Sequence, residues 1–242
     1  MTELLHSTSA TPAESIVAID WPLHRRLMMV AMGYVPFFTA ALVVACVIVA
    51  TKRWGAFAAM GAGAIMIYLF PPLAHRVFSI GFGAQSGRHT VGSAAFLRWW
   101  LSAQWQVTFN RLPMLEELLR IVPGLYSAWL RLWGAKIGSL VYWSPGVAVL
   151  DRSLLRVGSR VVFGAGVRLN PHVIVPGKKG EAQLWLAPVT LGDDSLIGGY
   201  SLITAGCTIP AGASLPAGKY VRPFSTWQDN QPAQSRYEGD PD

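Results

Sequence analysis

The chain has 242 residues, of which 52% are hydrophobic and only 14% charged, an apolar balance for a soluble protein. Its formal net charge is +7, and residues 1–136 hold eleven Lys/Arg against five Asp/Glu. This basic excess flanks apolar runs and forms no basic cluster interleaved with base-stacking aromatics on a polar domain, so it points to an anionic membrane face and away from nucleic acid. The two cysteines, Cys46 in an apolar run and Cys207 in a small-residue slot, imply no disulfide framework.

Residues 1–26 are mostly polar and argue against a signal peptide, whose apolar stretch starts sooner. Residues 27–50 carry no charge over twenty-four positions, about 36 Å of helix, enough for a bilayer core. Pro36 lies inside this run and is expected to kink it. Thr51, Lys52 and Arg53 separate it from a second uncharged run, residues 54–74. The two read as a transmembrane hairpin over 27–74, in which Ala59 and Gly63 let the helices approach closely. Arg25 and Arg26 at the start, and Arg76, Arg88 and Arg98 after the second run, lean towards both termini in the cytoplasm.

Residues 75–134 change character. Trp99, Trp100, Trp105, Trp129 and Trp133 alternate with Arg98, Arg111, Arg120 and Arg131, and Pro113 and Pro123 cut the stretch into short helices. Apolar bodies with basic, aromatic edges suit the headgroup level, so interfacial helices are expected. Amphipathic helices packed on the next domain would carry the same pattern, and both readings stand open.

From Thr190 to Gly218 an aliphatic residue returns every sixth position: Leu191, Ile197, Ile203, Ile209, Leu215. The same step appears in Val157, Phe163, Leu169 and in Ile137, Trp143, Val149. Small or apolar residues stand four places after repeat positions, at Val141, Val147, Val161, Val167, Val173, Ser195, Ser201, Cys207 and Ala213. Neither helix nor plain strand needs a step of six; a stacked repeat does. Each unit is read as one short strand and one turn, with the repeat residue inward and three units per coil. Gly138, Gly158, Gly164, Gly192 and Gly198 directly follow repeat residues, where turns are expected. A two-residue insertion at 151–153 and a loop at 176–184 interrupt the frame.

At these residues the sequence resembles the hexapeptide-repeat acyltransferases, which fold as a left-handed parallel β-helix. The resemblance covers about residues 129–233. The handedness comes from the resemblance, since ordinary crossover rules favour the right hand. The tail "YVRPFSTWQDNQPAQ" looks like a degenerate form of the family's ending, with Pro232 and Ala233 kept and its glycine and lysine missing. "WLRLWGAKIG" also resembles the start of the β-helix in the membrane-associated acyltransferase-like domains of polyamino-acid synthetases. The expected architecture is therefore mixed: two transmembrane helices and interfacial helices, a left-handed β-helix over 135–223, and a tail over 224–242.

The resemblance implies an acyl-CoA-dependent transferase, most simply of acetyl, with a histidine as general base. His172, alone among the five histidines, lies in the repeat domain, after "VRLNP" and before the long loop. An imidazole is neutral, hence basic, near pH 7. Glu181 and Asp151 are candidate orienting partners, and Asn170 a candidate oxyanion donor. The family's coenzyme groove, between β-helices of a homotrimer, maps onto the turns Gly199–Tyr200, Ala205–Gly206 and Ala211–Gly212. Lys219, Arg222, Lys178 or Lys179 could meet its phosphates. One histidine cannot supply a three-histidine zinc site, so no metal and no tightly bound cofactor is expected. Partners are then the lipid bilayer, acyl-CoA and a lipid-linked or amphiphilic acceptor, with the catalytic domain on the cytoplasmic side of the cell membrane. The rival reading is a non-catalytic membrane-anchored scaffold.

Overall fold

The computed structural model describes residues 21–177, 181–228 and 231–234. Expectations for residues 1–20, for Lys178 and Lys179, and for the end of the tail fall outside the described residues. Helices α1 (Leu23–Gly33), α2 (Val35–Trp54) and α3 (Ala56–Phe82) come first. The helix pauses at Tyr34, which places Pro36 in the first turn of α2 and not at a mid-helix kink. Its missing N–H is no loss there. Gly55, at φ 86°, reverses the chain in a single residue, and Lys52 and Arg53 fall in the last turn of α2. Cations are favoured at that end of the helix dipole. A Cβ on Gly63 would lie 2.9 Å from Val47 Cγ2, and Ala59 is buried. The small pair thus permits the close approach expected of it. Residues Leu23–Trp54 and Ala56–Phe82 are long and apolar enough to cross a membrane, by length and composition.

Strand β1 (Gly87–Thr90) follows, then α4 (Ala94–Gln104), α5 (Val107–Arg111), α6 (Met114–Arg120) and α7 (Leu125–Leu132). Ser93 caps α4 by accepting the Phe96 N–H. The tryptophans here are mostly not at a surface. Trp99, Trp129 and Trp133 are buried, the last two joining Phe109 and Tyr126 in the main core. Of the two readings left open, these rings fit packing on the next domain: Trp129 and Trp133 cover the first coil of the domain that follows, and Trp99 packs against the segment 182–186. Burial of a ring this large is worth more than leaving it half wet.

That domain is a three-sided parallel β-helix. Coil one is β2 (Lys136–Ile137), β3 (Tyr142–Trp143) and β4 (Ala148–Val149). Coil two is β5 (Leu155–Val157), β6 (Val162–Phe163) and β7 (Arg168–Asn170). An antiparallel hairpin, β8 (His172–Pro176) and β9 (Ala182–Leu186), then leaves the coil. Coil three is β10 (Val189–Leu191), β11 (Leu196–Ile197) and β12 (Leu202–Thr204). Coil four is β13 (Thr208–Ile209), β14 (Ser214–Leu215) and β15 (Tyr220–Val221), and β16 (Ser225–Gln228) begins a fifth. Strands one coil apart pair in parallel, making three faces: β2-β5-β10-β13-β16, β3-β6-β11-β14 and β4-β7-β12-β15. Every repeat residue, from Ile137 to Leu215, is buried, and Val221 extends the series. Trp143 stacks on Phe163 with centroids 4.4 Å apart and planes 9° apart.

The glycines after repeat residues stand where the turns begin, as expected, but are not the left-handed positions. Those lie two residues later, at Leu140, Arg160, Asp194, Gly166 and Tyr200. The glycines are needed because coils stack about 4.8 Å apart: a Cβ on Gly192 would lie 2.3 Å from the Ala211 nitrogen. The loop expected at 176–184 links the two strands of a hairpin, β8 ending at Pro176 and β9 starting at Ala182, and β1 pairs with β9 to complete a three-stranded sheet. Val173 therefore leaves the coil, half-buried and opposite Trp185. Finally, the coil continues past 223, where a tail was expected, and β17 (Gln231–Gln234), holding Pro232 and Ala233, folds back antiparallel on β16.

The core stack sets a stability prediction. Phe163→Ala removes a fully buried ring from the middle of the prism and should cost about 3–5 kcal/mol, read as a lowered thermal midpoint in detergent, whereas Val162→Ala on the outer face should change it little.

Candidate active site

The three corners of the prism form three columns running from coil to coil. On the column between the β4 and β5 faces stand Asp151, His172, Gly206 and Phe224. Regular corners place a left-handed residue three positions after the repeat residue. Asp151 breaks this frame: it comes two after Val149, at φ 45° and ψ 57°, and opens the short 3-10 turn Arg152–Leu154. Asp is among the few residues that tolerate this conformation. The two extra residues visible in the sequence thus turn a carboxylate towards the corner. One coil on, the hairpin leaves the prism, and His172 is its first residue.

Asp151 Oδ2 accepts a hydrogen bond from His172 Nδ1, and Asp151 Oδ1 accepts one from Trp99 Nε1 at 2.9 Å. The Asp151 side chain is buried, and that of His172 is 24% exposed. The Trp99 ring lies against the imidazole, centroids 4.8 Å apart. His172 Nε2 has no hydrogen-bond partner among the described residues. Burial alone would push the imidazole pKa down, but the facing carboxylate and its hydrogen bond outweigh that and hold it above the ordinary 6.5. This arrangement fixes the tautomer, leaves Nε2 as the available base and stabilises the imidazolium once it forms.

The corner is held from behind by a buried polar clamp. Arg152, 1% exposed, donates from Nε and a terminal nitrogen to Glu116, and from its other terminal nitrogen to Gln106 Oε1 at 3.0 Å. Gln106 Oε1 also accepts the Arg152 backbone N–H at 2.9 Å. Tyr126 donates its hydroxyl to Glu116 Oε2 at 2.5 Å. Arg120 donates to Glu116 Oε2 and, at 2.7 Å, to the Val147 carbonyl, with its guanidinium over the Tyr126 ring. The segment α4–α7 is thereby fastened to coil one beside Asp151.

Of the two orienting partners read from the sequence, the structure pairs Asp151 with His172. Glu181 sits at the far end of the hairpin, because His172 opens β8 while Glu181 precedes β9. Asn170 ends β7, and its Oδ1 is buried without a partner among the described residues. The turns read as a coenzyme groove divide among three edges. Ala205 and Gly206 share the edge of His172, and so does Arg222. Gly199, Tyr200 and Lys219 lie on the second edge, and Ala211 and Gly212 on the third. One chain alone does not bring these sets together. Ala205 is fully buried, under a cover in which Phe224 packs on Trp185 and Arg88 lies over both rings. Tyr200, by contrast, is 78% exposed and lies over Gly166. An open groove of about 620 Å³ lies elsewhere, on the β2-β5-β10 face, with Arg76, Arg131, Lys136 and Arg156 in its wall. Sequence reasoning missed Trp99 and the clamp. Their signal was three charges, Glu116, Glu117 and Arg120, at helical spacing in an otherwise apolar stretch.

A scan of protein-family models finds no match to the chain, and a search of curated proteins finds none either. Several solved structures are similar to it. A hexapeptide-repeat-containing acetyltransferase from Vibrio cholerae is 18% identical, with a TM-score of 0.36 over 49% of this chain and 86% of its own. A maltose O-acetyltransferase from Clostridium difficile is 16% identical, with a TM-score of 0.36 over 50% and 81%. A galactoside acetyltransferase in complex with coenzyme A is 17% identical, with a TM-score of 0.30 over 50% and 76%.

The electrostatics of the pair predict a pH dependence. A folded-state pKa raised above the unfolded value means that the pair stabilises the fold fully below about pH 6.5 and loses this contribution as pH rises through the raised value. Asp151→Asn should move the His172 titration, followed by imidazole proton NMR, downward from its wild-type position.

Proposed function

We propose that this protein is a membrane-anchored acyltransferase. It moves an acyl group, most simply acetyl, from acyl-coenzyme A to a hydroxyl or amine of a membrane-proximal acceptor. The observation that carries the reading is the partly exposed His172, with Nδ1 held by buried Asp151 and Nε2 free to act. The acceptor's O–H or N–H gives its proton to Nε2 as its heteroatom attacks the thioester carbonyl carbon. The C–S bond then breaks, the imidazolium returns the proton to the departing thiolate, and the acceptor leaves acylated. Asp151 stabilises the imidazolium between the two proton transfers. The donor and the left-handed winding follow the resemblance to hexapeptide-repeat acyltransferases.

The hairpin of α2 and α3 serves as the anchor. Each arm supplies about twenty residues of helix, roughly 30 Å, between the turn at Gly55 and the cluster at Tyr34 and Arg76. The arginine distribution favours both ends on the cytoplasmic side, where coenzyme A is available. A homotrimer would let the exposed second edge of a neighbour, with Gly199, Tyr200 and Lys219, close a groove over His172.

The test uses membranes containing the full chain, with acetyl-coenzyme A labelled in its acetyl group. Wild type should transfer label, and the fraction that gains it, lipid or soluble, identifies the acceptor class. His172→Ala should lower the rate by about 10²–10⁴-fold while the protein stays inserted. Equal transfer by both proteins would remove His172 from the chemistry and favour a scaffold.

A further inference from the structure

Helix α6 is built inside out. Its charged side chains face the protein: Glu116 is 4% exposed, the Arg120 side chain 7%, and both belong to the Arg152 clamp. Its outer face and flanks are apolar. Met114 is 72% exposed, Leu118 51% and Ile121 74%, and Leu112, Val122 and Leu125 extend the patch on both sides. Arg111 and the half-covered Glu117, which is paired with Arg120, supply the charge at its rim. A helix on a water-facing surface carries the opposite pattern, and a contiguous apolar patch of this kind marks a partner.

The attachment of α6 identifies that partner. The Tyr68 hydroxyl donates to the Leu115 carbonyl at 2.8 Å, and Trp129 Nε1 donates to the Tyr68 carbonyl at 2.8 Å. Tyr68 is in α3, twelve residues after Ala56 and eight before Arg76. At 1.5 Å per residue these are about 18 Å and 12 Å, so Tyr68 falls well inside a core of about 30 Å. A segment bonded to Tyr68 shares its depth.

We infer that residues 111–125 form a second membrane-embedded surface, dipping into the acyl-chain region of the same leaflet beside the α2–α3 hairpin. This rests on the membrane reading of that hairpin. The partner is the lipid acyl chains themselves. Arg111 is long enough to reach back to the headgroups. The inward charges of α6 are then paired with one another and with Arg152, as a hydrocarbon surrounding requires. The β-helix is consequently not held above the bilayer on a stalk: its first coil, clamped to α6 through Arg120 and Arg152, rests on the lipid.

Depth-dependent quenching tests this with the full chain. In a Cys46→Ser background, with Cys207 buried and unreactive, a bimane label is placed at Leu118→Cys on α6, at Ile65→Cys on α3 and at Val162→Cys on the outer β-helix face. The protein is reconstituted in phosphatidylcholine–phosphatidylglycerol vesicles with nitroxide on the acyl chains. Labels at 118 and 65 should lose most of their emission, and the label at 162 should keep it. Quenching at 65 without quenching at 118 would overturn this inference and leave the hairpin in the membrane. Loss of quenching at both would overturn the hairpin reading itself. An unquenched 118 label that crosslinks to a second copy would assign the patch to self-association instead.

Discussion

Arg152 and Glu116 carry the join between the two halves of this molecule. Both are almost fully buried, one on the corner that follows coil one and the other on α6. A buried ion pair of this kind is not in itself a source of stability, because desolvation takes back most of the attraction. Its force lies in the asymmetry: with either partner removed, the other stays buried and uncompensated, at a cost of about 3–5 kcal/mol. Gln106, Tyr126 and Arg120 occupy further hydrogen-bonding positions, so the pair has one low-energy arrangement. That arrangement fixes the corner containing Asp151. Trp99 then holds the second carboxylate oxygen, and His172 meets the first.

The site thus depends on elements far apart in the sequence. A β-helix alone builds a stiff prism whose corners are alike. Function needs one corner to differ, and the difference has two sources. The frame break at 151–153 puts a carboxylate where a regular turn has none. The hairpin at 172 carries an imidazole out over it. Neither side chain is held by the repeat itself; α4 supplies Trp99, and β1 pairs with the hairpin that leads from His172. The same helices attach to α3 through Tyr68 and through His75, whose Nε2 meets Ser102 Oγ at 2.7 Å. Helix α3, the collar and the corner with His172 form one connected structure, so under the proposed function the height of the site above the lipid would be set by packing and not by a flexible linker.

Much of the fold was legible because the six-residue step is a strict packing rule. Each repeat position from Ile137 to Leu215 faces a narrow axis, and a polar or oversized residue there would break the stack. The hairpin helices were legible for a similar reason, as long uncharged runs with a small pair at Ala59 and Gly63. The collar was not. A tryptophan at a headgroup and a tryptophan in a core differ only in what lies next to them, so Trp99, Trp129 and Trp133 gave no indication from local pattern. The strands flanking the expected 176–184 loop were not legible, because the strand that completes their sheet, β1, lies over eighty residues away and is four residues long. His172 was found from its place at the end of a repeat. Its choice of Asp151 over Glu181 was not, since that depends on a left-handed corner and a strand direction that spacing does not encode.

In the proposed mechanism Asp151 fixes His172 with its proton on Nδ1 and leaves Nε2 as the base. The most direct measurement is the pair of ¹⁵N chemical shifts of the His172 ring in histidine-labelled protein, recorded above its pKa. A protonated Nδ1 beside an unprotonated Nε2 is expected from this mechanism. A proton resident on Nε2, with Nδ1 bare against the carboxylate, would contradict it.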